Sequence, residues 1–402
     1  MMLIHTPPIR TITAGIEEAH PLSSTTIKAT ASLLEQASHR FAGAGYEIQT
    51  VRISTRPVWD DLADWSAPAL LKYVQELQHM LDDAGISFCS LGTAQTLRSG
   101  FPVQRIDEIA DWLASTSAMN ATVQFATPTG GVQPTAALPT ARVMKRLARE
   151  TEEGFGNFRF AALACVEPGS PFFPSAYHSG PTSLSIGLQG AGIITGTLRS
   201  LQAGNAEILP LNLRQVSMEV RSALLQQTVP IVMLAEQIAE ANGVSYGGID
   251  LSPAPLGEDS IIAAMELCGY GSFGSPGTVA VAAALTAALK VHTSILDTCG
   301  YCGLMLPVLE DALLGRRWEE GRVNAHQLLL YSSVCGTGLD TLPLAGDTPV
   351  EEIAYLLLDV ATLAARLNKP LSARLFPVPG KRAGDRTTFT SPYLTNTLVG
   401  TQ

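Results

Sequence analysis

The chain has 402 residues, 46% of them hydrophobic and 15% charged, with a formal net charge of −10. Such a composition buries a large core and excludes a disordered chain. No Lys/Arg cluster is interleaved with aromatics, which argues against nucleic acid or an anionic membrane surface and leaves a small-molecule metabolite as the expected partner.

The N-terminus, "MMLIHTPPIR", has no basic segment leading into an apolar one, so no secretory leader is expected. The longest apolar run begins at Gly277 and stops at Lys290, short of the roughly 20 residues that span a bilayer. A cytoplasmic homo-oligomer is the expectation. Cys89, Cys165, Cys268, Cys299, Cys302 and Cys335 are too sparse for a disulfide scaffold and read as reduced thiols.

Along the chain, short β-branched runs alternate with helical patterns. Strand "RTITAGI" is followed by the amphipathic "STTIKATASLLEQASHRFAGAG", with a serine ahead of it and glycines closing it. Strands "EIQTVRIST", "ISFCSLG", "NATVQFA" and "FRFAALACV" continue, separated by helical segments. Later come "SLSIGL", a helical zone from Arg214 to about Ala241, "GGIDLS", an alanine-rich helix from Ser275, apolar "LMLPV", two further helices and "SARLFPV". Repeated βα alternation predicts a parallel sheet under helical cover. Around ten units in a row, with no Gly/Ser-rich linker, predict one α/β barrel domain over 1–402 with a Pro-rich loop insertion at about 167–182.

In such folds the loops after the strands gather, so residues there carry the candidates. "CVEPGSPFFPSAYHSG" delivers Tyr177 and His178 on a loop stiffened by proline; it reads as a positioned catalytic imidazole or as a packed loop. Asp250 ends strand "GGIDLS" and requires a charged partner, a metal or a donor if buried. Ser260 opens the next helix. Glu310 and Asp311 are either a pair compensating a helix dipole or a general base and cation ligand facing the same mouth. Of the other histidines considered, His5 and His292 stay as site candidates.

Cys299-x-x-Cys302 has half the spacing of a zinc site, and neither a second Cys-x-x-Cys nor a His-x-x-x-His completes it. Cys302 and Cys335 remain as candidate thiols. "PVPGKRAGD" places Lys381 where it could meet an anion but lacks the Walker spacing. Arg10 on the first strand and Arg374 on the last would be neighbours in a closed barrel, as a structural network or as a grip on a substrate carboxylate.

The segments "IRTITAGI", "GYEIQTVRIST", "NFRFAALACVEPGSPFFPSAYH", "GIDLSPAP", "EDSI", "GYCGLMLPVLED", "GLDTLPLAGDTP" and "ARLFPVPGKRAGD" together resemble the domain-of-unknown-function family numbered seven hundred and eleven, in order over about residues 9–395. The resemblance implies the ten-stranded α/β barrel of glycyl radical enzymes, and in some relatives a small amino-acid-sensing ACT-type regulatory partner. It carries over to Arg10, Thr11, His178, Asp250, Asp259, Ser260, Glu310, Asp311, Asp340, Arg374, Lys381 and Asp385. Position 302 departs from the family pattern, which has serine there, and Cys299 is not expected either. No Arg-Val-x-Gly-aromatic segment occurs, so radical chemistry is not implied.

The leading expectation is a non-radical hydrolase or lyase acting on a small carboxylate- or amide-bearing metabolite. His178 with Glu310 or Asp250 would exchange protons. Arg10, Thr11, Tyr177, Ser260, Arg374 and Lys381 would bind substrate, and Asp250, Glu310 and Asp311 would hold any divalent cation. The alternatives are a non-catalytic sensor of amino-acid-like metabolites acting through a partner, and a thiol enzyme using Cys302 or Cys335.

Overall fold

The computed structural model describes residues 6–204, 210–290 and 295–400, so His5 and His292 lie outside the described residues. Nine strands form one sheet: β1 (Ile9–Gly15), β2 (Ile48–Ser54), β3 (Cys89–Gln95), β4 (Met119–Gln124), β5 (Phe160–Ala164), β6 (Ser183–Leu188), β7 (Ser245–Asp250), β8 (Gly338–Ala345) and β9 (Leu371–Val378). Their spatial order is β8-β9-β5-β4-β3-β2-β1-β6-β7. Strands β1 to β5 run parallel. The parallel pairs β6/β7 and β8/β9 flank them, each joined antiparallel, through β1 and β5.

Helices α1 (Ser24–Gly43), α2 (Ala67–Asp83), α3 (Glu108–Ala114) and α4 (Ala137–Glu150) make the crossovers between β1 and β5 that parallel pairing requires. Helices α5 (Ala191–Gly204) and α6 (Leu213–Ala241) link β6 to β7. Between β7 and β8 come α7 (Ile261–Glu266), α8 (Thr278–Leu289), α9 (Ala312–Glu319) and α10 (Ala325–Ser332), and α11 (Val350–Leu367) joins β8 to β9. The sequence reading assigns no helix to α5, whose glycines at 192 and 196 lower helix propensity. Among the described residues no helix is long and apolar enough to cross a membrane.

The expected ten-stranded barrel does not form: among the described residues the sheet has nine strands and is not closed. Segment "LMLPV" lies where a tenth strand was expected and does not form one. Thr298 bridges to Ile249 of β7 and Pro307 to Asp340 of β8, each as an isolated contact. Pro307 has no N–H to donate to a ladder. Gly303 presses against the Gly336 backbone, where a Cβ on either would overlap the other chain.

Alternation along the strands separates two faces. Ile12, Ala14, Ile53, Met119, Ala121, Val123, Phe160 and Ala162 belong to the main apolar core. Their neighbours, Thr11, Thr13, Arg52, Ser54, Asn120, Thr122 and Gln124, are polar and buried all the same. A sheet buried on both faces ordinarily reads as a continuous apolar run. Here the second face is a polar interior, filled in part by a smaller apolar cluster that includes Phe172, Tyr177, Tyr301 and Met305.

His20, between β1 and α1, holds three elements together. Its Nδ1 lies 2.6 Å from the Tyr73 hydroxyl on α2, and its Nε2 lies 2.9 Å from Thr55 Oγ1 and 3.1 Å from the Arg56 carbonyl, just past β2. Burial pushes its pKa down to about 4, from an ordinary value of about 6.5. The unfolded chain then binds a proton that the folded chain refuses. This contribution to stability is complete above about pH 6.5 and declines as pH falls toward 4, by up to about 1.4 kcal/mol per pH unit. Chemical denaturation of His20→Gln across pH 4–7 is expected to show a correspondingly shallower loss of stability on acidification; a slope equal to wild type would refute the assignment.

Candidate active site

Five charged side chains meet on the polar face of the sheet. Arg10 comes from β1, Arg52 from β2, Asp340 from β8, Arg374 from β9 and Glu310 from the segment that precedes α9. Each is at most 8% exposed. Arg374 donates through Nε to Asp340 Oδ1 at 2.7 Å and through Nη2 to Glu310 Oε1. Arg10 Nη2 stands 3.7 Å from Glu310 Oε2.

Two strand irregularities aim these groups. The β1/β6 register shifts between Ile9 and Thr11, at Arg10, and the β8/β9 register shifts between Leu339 and Leu342, at Asp340, beside Thr341 with φ 39°. Such bulges bend a strand and redirect a side chain.

The five groups line a cavity of about 70 Å³. A single water needs roughly 10–15 Å³ on the same measure, so the cavity takes a ligand of several heavy atoms. Phe88, Phe158, Phe173 and Tyr393 form its aromatic wall, and Asn120, Ser175, Thr337 and Ser372 add polar edges. The Arg52 guanidinium lies 5.3 Å from the Phe88 ring centre and 5.2 Å from that of Phe173, and Arg374 lies 5.0 Å from Phe158. Tyr393 stacks on Phe158 at 5.8 Å and meets Phe88 edge-on at 6.3 Å.

Charge is unbalanced: three guanidiniums face two carboxylates. Among the described residues Arg52 has no carboxylate partner; its one side-chain hydrogen bond is from Nε to Thr50 Oγ1 at 3.0 Å. Burial and the neighbouring Arg10 charge push its pKa down to about 9, which leaves it charged at neutral pH. Burial opposes the Arg374 charge, and Asp340 and Glu310 more than offset it, so its pKa is raised. Glu310 is raised by burial, against the pull of Arg374 and Arg10 and with a further push from Asp340.

The other anticipated residues lie elsewhere. Asp250 is fully buried and makes no salt bridge among the described residues. Its Oδ1 accepts from Ser252 N, Ser252 Oγ and Cys302 N, and its Oδ2 from Tyr301 N. The segment "GYCG" wraps around this carboxylate. Gly300 has φ 65° and a Cβ there would overlap Asp250 Oδ2, while Cys302 itself adopts φ 43°. Asp311 caps two helices, its Oδ1 accepting from Leu313 N and Leu314 N of α9 and its Oδ2 from Ile261 N of α7. Ser260 is the N-cap of α7.

His178 packs against Gly15, its Nε2 between the carbonyls of Gly180 and Pro181 at 3.1 and 3.0 Å, and burial lowers its pKa. Tyr177 donates to the Val166 carbonyl, and Thr11 lies beside Thr13. Lys381 sits in the turn after β9, and Asp385 accepts from Arg382 N in the same turn. Burial and the Asp250 charge push the Cys302 thiol up to about 12, and burial pushes Cys335 up to about 11, so neither is a thiolate at neutral pH. Asp250, Glu310 and Asp311 do not converge, and no group of three or more His, Cys, Asp or Glu is placed to hold a metal among the described residues.

Of the anticipated residues, the cavity therefore gathers Arg10, Glu310, Asp340 and Arg374. Arg52, Asn120 and the aromatic wall are not among the sequence candidates, most of which sit in the segments after the strands rather than within them. The signal was present in "VRIS" and "NATV", where a polar side chain alternates with core residues in a buried strand.

The five charged groups lie within the match to the family described as "Uncharacterised ACR (DUF711)", which spans residues 1–391; of the aromatic wall only Tyr393 falls just beyond it. The chain belongs to this family. Relatives of similar length are the UPF0210 proteins of Carboxydothermus hydrogenoformans, 26% identical over 95% of this chain and 88% of the relative, and of Pyrobaculum arsenaticum, 28% identical over 96% and 88%. That of Syntrophobacter fumaroxidans is 29% identical over 86% and 77%. The names of these relatives specify no reaction.

The imbalance makes a contrasting pair of stability predictions. Arg374→Met strips two buried carboxylates of their main partner and is expected to cost about 3–5 kcal/mol. Arg52→Met removes a buried charge that no carboxylate compensates and is expected to leave stability unchanged or raise it. Urea unfolding of the two variants checks this; an equal loss in both would make Arg52 a structural residue.

Proposed function

We propose that this DUF711 protein is an enzyme that binds a small carboxylate-bearing metabolite in the central cavity, with Glu310 as the proton-exchanging group. The observation that carries this reading is Arg52, a buried guanidinium on the cavity wall without a carboxylate partner. A buried charge is costly unless paired. A ligand carboxylate supplies the missing pair in bidentate form, and Arg10, whose contact with Glu310 is long, stands ready beside it.

The remainder of the ligand would lie along Phe88, Phe173 and Tyr393, with amide or hydroxyl groups toward Asn120, Ser175 and Ser372. Glu310 suits proton exchange because its carboxylate faces the cavity, and burial raises its pKa. Hydrolysis of an amide or elimination next to a carboxylate are the matching reaction classes. His178 and Asp250 support the walls in this reading and do not touch the ligand.

The test has two stages. Small carboxylates screened by thermal shift should stabilise the wild-type protein, and Arg52→Met should lose that shift; no shift with any carboxylate, or a shift that survives the substitution, rejects the site. Metabolite extracts incubated with wild type and with Glu310→Gln should then show, by mass spectrometry, a carboxylate consumed by the first and spared by the second. Binding without any consumption would favour the non-catalytic sensor.

A further inference from the structure

A second cavity, of about 490 Å³, opens between residues 6–8 ahead of β1, helix α5 and helix α6. Binding clefts for small molecules commonly run from about 300 to 1,000 Å³. Its floor is kept open by Gly192 and Gly196 of α5, where an added Cβ would meet no atom within 4 Å. Thr197 and Ser200 donate their hydroxyl hydrogens to the Ile193 and Gly196 carbonyls, which leaves hydroxyl oxygens as acceptors toward the cleft. Among the described residues Asp259 is the one charged residue in this wall.

Asp259 is half-buried, and burial raises its pKa with only a hydrogen bond from Gln189 to oppose the shift. No Lys, Arg or His makes an ion pair with it among the described residues. The cleft is thus rich in acceptors and carries a single negative charge, which fits a ligand that brings several N–H donors and a positive charge.

A hydrogen-bonded chain leads from this cleft to the central cavity. Arg10 Nη1 donates to Gln49 Oε1 at 2.9 Å, Gln49 Nε2 donates to Gln189 Oε1, and Gln189 Nε2 donates to Asp259 Oδ2 at 2.9 Å. The orientation of both amides is forced, because a guanidinium can only donate and an ionised carboxylate can only accept. Drawing Asp259 toward a cation weakens its hold on Gln189 and is transmitted to Arg10, which also faces Glu310.

We infer that this cleft is a second ligand site, taking a small ammonium or guanidinium compound on Asp259, and that its occupancy tunes the anion affinity of the central cavity through Gln189, Gln49 and Arg10. The binding half stands independently; the coupling half rests on the anion reading of the central cavity. Coupling of this kind is reciprocal.

The experiment titrates methylammonium, putrescine and agmatine against wild type, Asp259→Asn and Arg52→Met by thermal shift, with sodium chloride matched for ionic strength. A saturable shift in wild type and Arg52→Met that is absent in Asp259→Asn is expected. No shift in wild type with any of the three amines, or an equal shift in Asp259→Asn, overturns the site. Since Arg52→Met tests the central cavity with carboxylates, failure of one site is separable from failure of the other. A saturating amine should also change the apparent affinity for a stabilising carboxylate by about five-fold or more in wild type and leave it unchanged in Gln49→Leu. An unchanged affinity in wild type, or the same change in Gln49→Leu, overturns the coupling.

Discussion

The carboxylate of Glu310 is the constraint on which the architecture turns. It is shared by Arg374 on β9 and Arg10 on β1, two strands with four others between them in the sheet. In a flat sheet they would stand about 24 Å apart at roughly 4.8 Å per step, too far for one carboxylate to touch both. The sheet must therefore curl, and the ion pairs record the curl. The irregularities at Arg10, beside Gly92 in β3, beside Gly248 in β7 and at Thr341 in β8 supply the local bending. The segment carrying Glu310 crosses the concave side and is anchored at one end by Asp250, which gathers the "GYCG" backbone, and at the other by Asp311, which caps α9 and α7.

Structure and function separate along this segment. Asp250 and Asp311 have their oxygens filled by backbone donors, so they serve the fold; Glu310, between them, faces the cavity. The same division runs through the arginines. Arg374 is saturated by two carboxylates, whereas Arg52 is stacked between rings without a counter-charge. A fold optimised for stability alone would place an apolar residue at 52, since a buried guanidinium without a carboxylate is a cost. Its presence is intelligible if an anion completes the set.

The βα order and the first five strands were legible in the sequence; Arg10 and Arg374 were expected side by side on adjacent strands of a closed barrel, whereas four strands separate theirs and the two share only the Glu310 carboxylate. Periodicity and β-branched runs fix strands, and the first and last strands carried matching arginines. The unclosed sheet was not legible, because an apolar "LMLPV" looks like a strand until Pro307 and the Gly303–Gly336 contact deny it a ladder. Residue type and loop position make Asp250 and His178 candidates but do not say whether backbone donors and carbonyls already satisfy them. The alternation in "VRIS" marks Arg52 as facing away from the apolar core; that this face lines a cavity follows only from the curl of the sheet, which the local pattern does not carry.

The account stands on the claim that the excess positive charge in the central cavity holds an anion at Arg52. Crystals of the wild-type protein and of Arg52→Met, both soaked in bromide and measured at the bromine edge, test it directly. An anomalous peak within hydrogen-bonding distance of Arg52 and Arg10 in wild type, absent from Arg52→Met, is the predicted result. Bromide confined to the protein surface, with the cavity free of anomalous density in both crystals, would contradict it.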